Sequence, residues 1–162
     1  MLCRLYIVEL KVGYGRLKGE NNEALMSLLG PDFALINPKM VCGSLHLSQA
    51  AYLADKAHEG KYNITKDRST ELLLYLTAQR QISRAIEIAG IKPGSEAVAW
   101  VSFSQIPDKL SDLVEPDESV ISHLDFDYSS LGLEKSLLDK LSFDEKQKIV
   151  MTRTAALPVQ SR

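Results

Sequence analysis

Thr70 to Ser104 reads TELLLYLTAQRQISRAIEIAGIKPGSEAVAWVSFS. Its first part, Glu71 to Leu76, is too continuously apolar for a surface helix and predicts a largely buried one. The pattern loosens at Thr77-Ala78-Gln79. It resumes with Ile82, Ala85, Ile86 and Ala89 at the spacing of one helix face. Arg80, Gln81, Arg84 and Glu87 take the opposite side, and Gly90 is a C-cap candidate. Pro93-Gly94 then makes a turn. Glu96 to Ser104 follows as a strand, with Val98, Trp100 and Ser102 facing one way and Ala97, Ala99, Val101 and Phe103 the other. Both sides are mostly apolar, so this strand is expected to be central and covered on both faces. A buried helix, a second helix and a two-sided strand in succession predict a mixed α/β fold.

The chain around this stretch has 162 residues, 45% apolar and 25% charged, with a net charge of −2. Those values fit one globular domain, residues 1–162, with a tail from Leu157 to Arg162 expected to fray. Near-neutral charge argues against a wholesale nucleic-acid coat but leaves room for a local basic patch. Lys56 to Lys92 holds seven basic against four acidic residues, and Gln105 to Lys146 holds four basic against eleven acidic. This asymmetry suggests a basic side and an acidic side. No apolar stretch reaches the ~18 residues of a membrane span. Cys3 and Cys42 read as buried thiols of a reducing compartment. A cytoplasmic protein without membrane contact is expected.

Outward toward the N-terminus, Leu2 to Val12 reads as a strand that Gly13-Tyr14-Gly15 breaks into a loop. The dinucleotide fingerprint is not completed there, because Lys18 stands at the third glycine's place. Asn22 is positioned to cap a short helix from Glu23 to Leu29. Phe33 to Ile36 reads as a buried strand, Asn37-Pro38 as a turn, and Met40 to Cys42 as a second short strand. Ser44 can cap a helix through His58 whose face is Leu47, Ala50, Ala51, Ala54 and Ala57. Alanine on that face lets another helix approach closely. Gly60 to Lys66 is a polar loop, and Asp67 or Ser69 can cap the helix after it. Beyond the strand, Leu131 to Leu141 and Phe143 to Thr154 read as two short helices.

Catalytic patterns are missing. The sequence has no Gly-x-Ser-x-Gly elbow, no His-Glu-x-x-His pair and no phosphate loop. Asp125-Phe126-Asp127 lacks the glycine and distal glutamate of a calcium loop. No catalytic residue, metal ligand or cofactor site is assigned, and a binding module is expected rather than an enzyme. An alternative is a small-molecule-binding or regulatory domain with a pocket beside Asn37-Pro38 and His46.

Three blocks carry a resemblance. The first is Phe33-Ala34-Leu35-Ile36-Asn37-Pro38 with Val41 and His46-Leu47-x-x-Ala50. The second is Glu71-Leu72-Leu73-Leu74-Tyr75 leading into Arg80-Gln81-Ile82-x-x-Ala85-Ile86, which is the most specific. The third is Gly90-Ile91-Lys92 ahead of the Val98–Phe103 strand. Together they resemble the Cgi (TPRKB) family of kinase-binding subunits of the KEOPS (EKC) complex. The chain departs from the family pattern at Thr77-Ala78, where many members place Ser-Gly.

The resemblance implies a small mixed β-sheet packed with several α-helices in a single domain. It implies a non-catalytic subunit that docks on the complex's small atypical protein kinase and supports its ATPase activity. That kinase in turn binds the ATPase-like subunit that installs threonylcarbamoyl-adenosine on tRNA. It also implies a grip on the tRNA 3′ CCA end. Single-stranded ends are held by cations along phosphates and by planar side chains against bases. Lys61, Arg68, Arg80, Arg84 and Lys92 are the candidate cations, Gln81 a candidate for base edges, and Tyr62 a stacking platform. Arg80 and Gln81 also suit a hydrogen-bonded helix junction, and both roles stand open at this level. A kinase face requires exposed apolar residues with a polar rim. Ile149, Val150, Met151 and Arg153 are the candidates, with ordinary core packing as their other reading.

Overall fold

The structure is a computed structural model that describes residues 10–19, 22–122 and 125–159. Four strands pair antiparallel in the order β2-β3-β1-β4. They are β1 (Lys11–Leu17), β2 (Phe33–Ile36), β3 (Ala97–Ser102) and β4 (Val114–Pro116). The expected central strand is β3, with Ala34 and Val12 both opposite Val101. Its two faces feed two cores. Ala99, Val101 and Phe103 pack with the helices, while Val98 and Trp100 join Phe33, Leu35, Leu110 and Val114 on the other side.

The helical layer is α2 (Ser44–Glu59), α3 (Arg68–Thr77), α4 (Ile82–Ala89) and α7 (Phe143–Ala155). Shorter helices are α1 (Asn22–Met26), α5 (Leu110–Leu113) and α6 (Lys135–Leu138). The alanine face of α2 is wholly buried, as is the Leu72–Leu76 run of α3. Small side chains on α2 thus let α3 lie close and place the loop between them, residues 60–67, at one end of the layer.

Several sequence expectations are corrected. Gly13-Tyr14-Gly15 is not a loop but the middle of β1. Gly13 lies under the indole of Trp100, where a Cβ would collide with the ring. Close approach, not turning, is the reason for glycine there. Most of the expected Leu2–Val12 strand lies outside the described residues. Helix α1 stops at Met26, short of Leu29. Met40 to Cys42 is no strand: Pro38–Met40 form a 3-10 turn capped by Asn37, whose side chain accepts from the Lys39 N–H at 3.1 Å. The helix expected over Leu131 to Leu141 shrinks to α6, and Leu137 is 70% exposed. In α4, Ala85 and Ala89 are buried, but Ile82 and Ile86 face outward. At the C-terminus Leu157 is fully buried in the main core.

Candidate functional site

The loop from Gly60 to Asp67 is folded around one carboxylate. Lys61 turns the chain after α2 in the left-handed region, φ 60°, and its N–H reaches the His58 carbonyl at 3.3 Å. The Tyr62 N–H donates to Ala57 at 3.0 Å. The Tyr62 ring lies directly over Gly60, where a Cβ would strike it, and the residue is 54% exposed. Asn63 Nδ2 donates to the Thr65 carbonyl at 2.7 Å. Beneath the loop, Glu71 of α3 is fully buried. It accepts from the Ile64 N–H at 3.0 and 3.1 Å, from the Thr65 N–H at 2.8 Å and from the Thr65 hydroxyl at 2.8 Å.

Arg80 lies in the junction between α3 and α4. Ala78 takes the left-handed C-cap conformation, φ 52°, the state a glycine adopts most readily. Ala78 thus holds this conformation without being glycine. Arg80 donates one Nη1–H to the Leu157 carbonyl at 3.2 Å while the residue stays exposed. A guanidinium has five donors, so the inward bond leaves others for a ligand. Tyr75 lies near Arg80, Glu71 and Tyr62. Burial first, then the charge of Glu71 and the field of Tyr62, push its hydroxyl up to about 12, and Arg80 opposes them. Gln81 is exposed at the N-cap position of α4 and makes no side-chain cap bond.

The other candidate cations are placed differently. Arg68 Nε binds buried Asp55 at 2.9 Å, with Asp32 at 3.9 Å from its Nη1. That pair ties α3 to α2, and removing one partner would strand a buried charge. Arg84 pairs with Glu87 at 3.1 Å on the open face of α4. Lys92 starts the turn into β3, its N–H on Ser95 Oγ at 3.1 Å. The structure therefore brings Tyr62 and Arg80 into the neighbourhood of Tyr75, with Lys61 next to Tyr62 in the chain. It gives Arg68 a packing role and sets Lys92 in another turn. Tyr75 itself is buried in the main core, as its place inside a leucine run requires.

On α7, Val150 is corrected. It is 0% exposed and packs with Cys42, Phe126 and Leu131, so it is a core residue. Ile149 and Met151 are half-buried and Arg153 is exposed. Arg153 Nη1 donates to the Leu131 carbonyl at 3.1 Å. Gln49 Nε2 of α2 donates to the Met151 carbonyl at 3.1 Å. Leu45 and Tyr52, four residues before and three after Gln49, share its side of α2. Both are exposed, and Lys56 Nζ lies 5.4 Å from the Tyr52 ring centroid. A periodicity reading of α2 finds only the alanine face, so these two escaped it. A second apolar surface joins Ile82 and Ile86 of α4 to Met26 and Leu29, the last three around a groove of about 350 Å³.

The pocket expected beside Asn37-Pro38 and His46 is not assembled. Asn37 and Pro38 line a cavity of about 380 Å³ with Arg16, Lys39 and Glu96, without His46. His46 is buried with both ring nitrogens engaged: Nδ1 accepts from the Cys42 N–H at 3.1 Å and Nε2 donates to the Leu76 carbonyl at 3.2 Å. Among the described residues no cluster of three or more histidine, cysteine or acidic side chains is arranged to hold a metal ion. No helix among them is long and apolar enough to cross a membrane.

Residues 19–141 match the family model described as kinase binding protein CGI-121. The chain belongs to that family. No curated protein matches it.

Proposed function

We propose that this member of the kinase binding protein CGI-121 family is a non-catalytic subunit of a KEOPS-type assembly. In this reading it binds the small atypical kinase and supports that kinase's ATPase activity. Through the kinase it meets the ATPase-like threonylcarbamoyl transferase subunit. It helps hold the tRNA 3′ CCA end during threonylcarbamoyl-adenosine formation. The observation that carries the proposal is the family match over residues 19–141, which supports a kinase partner.

The RNA part is supported by chemistry. An exposed tyrosine ring beside Lys61, with Arg80 across Tyr75, offers stacking and cations within one neighbourhood. The kinase part is supported by the half-exposed apolar residues Ile149 and Met151 of α7 beside Leu45 and Tyr52 of α2, rimmed by Lys56 and Arg153. Such a mixture of apolar centre and charged rim suits a protein interface.

Co-purification with the small kinase, its ATPase rate with and without this chain, and gel shifts with intact and trimmed tRNA test the whole. Capture of the kinase, a faster ATPase and tighter binding of intact tRNA are expected. A kinase that is not captured removes the first part. Trimmed tRNA that binds as well as intact tRNA removes the 3′-end claim.

A further inference from the structure

We propose that Glu71 is a positioning residue for RNA binding: its buried carboxylate fixes the shape in which the 60–67 loop presents Lys61 and Tyr62, without touching the ligand. The inference rests on the reading of that loop as a holder of an RNA 3′ end.

Glu71 opens the leucine run of α3 and is fully buried. A carboxylate in an apolar interior is strongly disfavoured unless donors replace its water. The donors bonded to Glu71 are two backbone N–H groups and a hydroxyl of adjacent loop residues, Ile64 and Thr65. These charge-assisted bonds hold the loop down on the carboxylate in one shape, which an apolar residue at this position could not do. The Thr65 hydroxyl also lies 2.9 Å from the Asp67 carbonyl, and Asn63 closes on the Thr65 carbonyl. Helix packing alone does not require an acid at this position; a leucine would extend the run.

What the loop presents is strained and open. Lys61 has a left-handed backbone without being glycine, a conformation that persists where its surroundings over-determine it. The Tyr62 ring lies against Gly60, and the residue is more than half exposed. A stacking platform held in place loses little freedom when a base lands on it, and that favours binding. The Ile64 and Thr65 N–H groups already bond Glu71, so phosphate contacts fall to side chains such as Lys61.

The test uses the full chain and a short single-stranded RNA ending in CCA, with anisotropy read over a salt series. Glu71→Gln keeps the volume but sets an amide NH2 against loop N–H donors. An affinity loss of about tenfold is expected, the scale of one base–aromatic stack. The slope of log K against log salt stays near the wild-type value, because the long flexible Lys61 side chain still reaches a phosphate from a loosened loop while the Tyr62 ring loses its fixed position, whereas Lys61→Ala lowers the slope by about 0.7. Amide exchange quickens at Ile64 and Thr65, and kinase capture is unchanged. In a Tyr62→Ala background Glu71→Gln adds little further loss. Thr65→Val, which removes one donor, gives a smaller loss of the same pattern and serves if Glu71→Gln does not fold. Wild-type affinity in both variants despite faster loop exchange overturns the proposal. So does a loss that adds fully to Tyr62→Ala, since Glu71 would then act outside the loop. Wild-type protein that binds no RNA removes the RNA reading and this proposal with it.

Discussion

Burial lowers the pKa of His46 to about 4, and its backbone bond to Leu76 offsets this only in part. The ring sits edge-on to Phe126, with centroids 5.7 Å apart. Its neutral form makes both hydrogen bonds, one as acceptor and one as donor. The unfolded chain takes up a proton near pH 6.5 while the folded chain does not. Stability from His46 is therefore complete above about pH 6.5 and lost as pH falls through about 4, on the order of 3 kcal/mol in all. Urea midpoints between pH 7 and pH 4 are expected to fall, with His46→Gln less stable at pH 7 but flatter across that window. A variant that keeps the wild-type slope would assign it elsewhere. Asp117, held at about 2 by Ser119 and Arg16, acts at lower pH and does not share this window. The place of His46 in the first turn of α2 was legible from sequence. Its partner Leu76 was not, because thirty residues separate them and only tertiary packing joins them.

At the scale of elements, periodicity served where one helix face meets one neighbour. The alanine face of α2 and the apolar run of α3 are buried as their spacing requires. It misled in α4, where Ile82 and Ile86 continue the apolar pattern onto a face the chain leaves uncovered. It could not reach β1, because two glycines at alternate positions resemble a turn until the facing strand supplies the reason. For Gly13 that reason is Trp100, the chain's single tryptophan, opposite it in the register, and for Gly15 it is Val114 and the Glu115 backbone of β4. Gly13→Ala places a methyl inside the indole's volume and forces the ring outward. A loss of about 2 kcal/mol in urea unfolding is expected, within the usual cost of overpacking, together with red-shifted tryptophan emission. Trp100→Leu in the same chain should recover part of that loss. Unchanged stability and emission would mean that the indole does not cover this strand.

Over the whole molecule, the proposed RNA and kinase surfaces draw on the same helices. Arg80, at the α3–α4 junction, is bonded to the turn that follows α7. Gln49 joins α2 to α7 between Leu45 and Tyr52. None of this neighbourhood is legible from residue spacing, since it arises where segments about eighty to a hundred residues apart converge. Two apolar surfaces compete as the kinase face: Leu45, Tyr52, Ile149 and Met151 on α2 and α7, and Ile82, Ile86, Met26 and Leu29 around α4 and α1. The first carries cations at its rim, Lys56 and Arg153, and lies on the helix for which docking is proposed. Tyr52→Arg and Met151→Arg should each weaken kinase capture at least about thirtyfold, the scale of a central interface residue. Both should leave unfolding midpoints and RNA binding near wild type. Val150→Arg should fail differently, by unfolding, because it buries an unpaired charge. If Met151→Arg captures the kinase normally while Ile86→Arg does not, the docking face is the α4 groove. The partner would then lie against the outward isoleucines that the helix pattern alone assigned to the core.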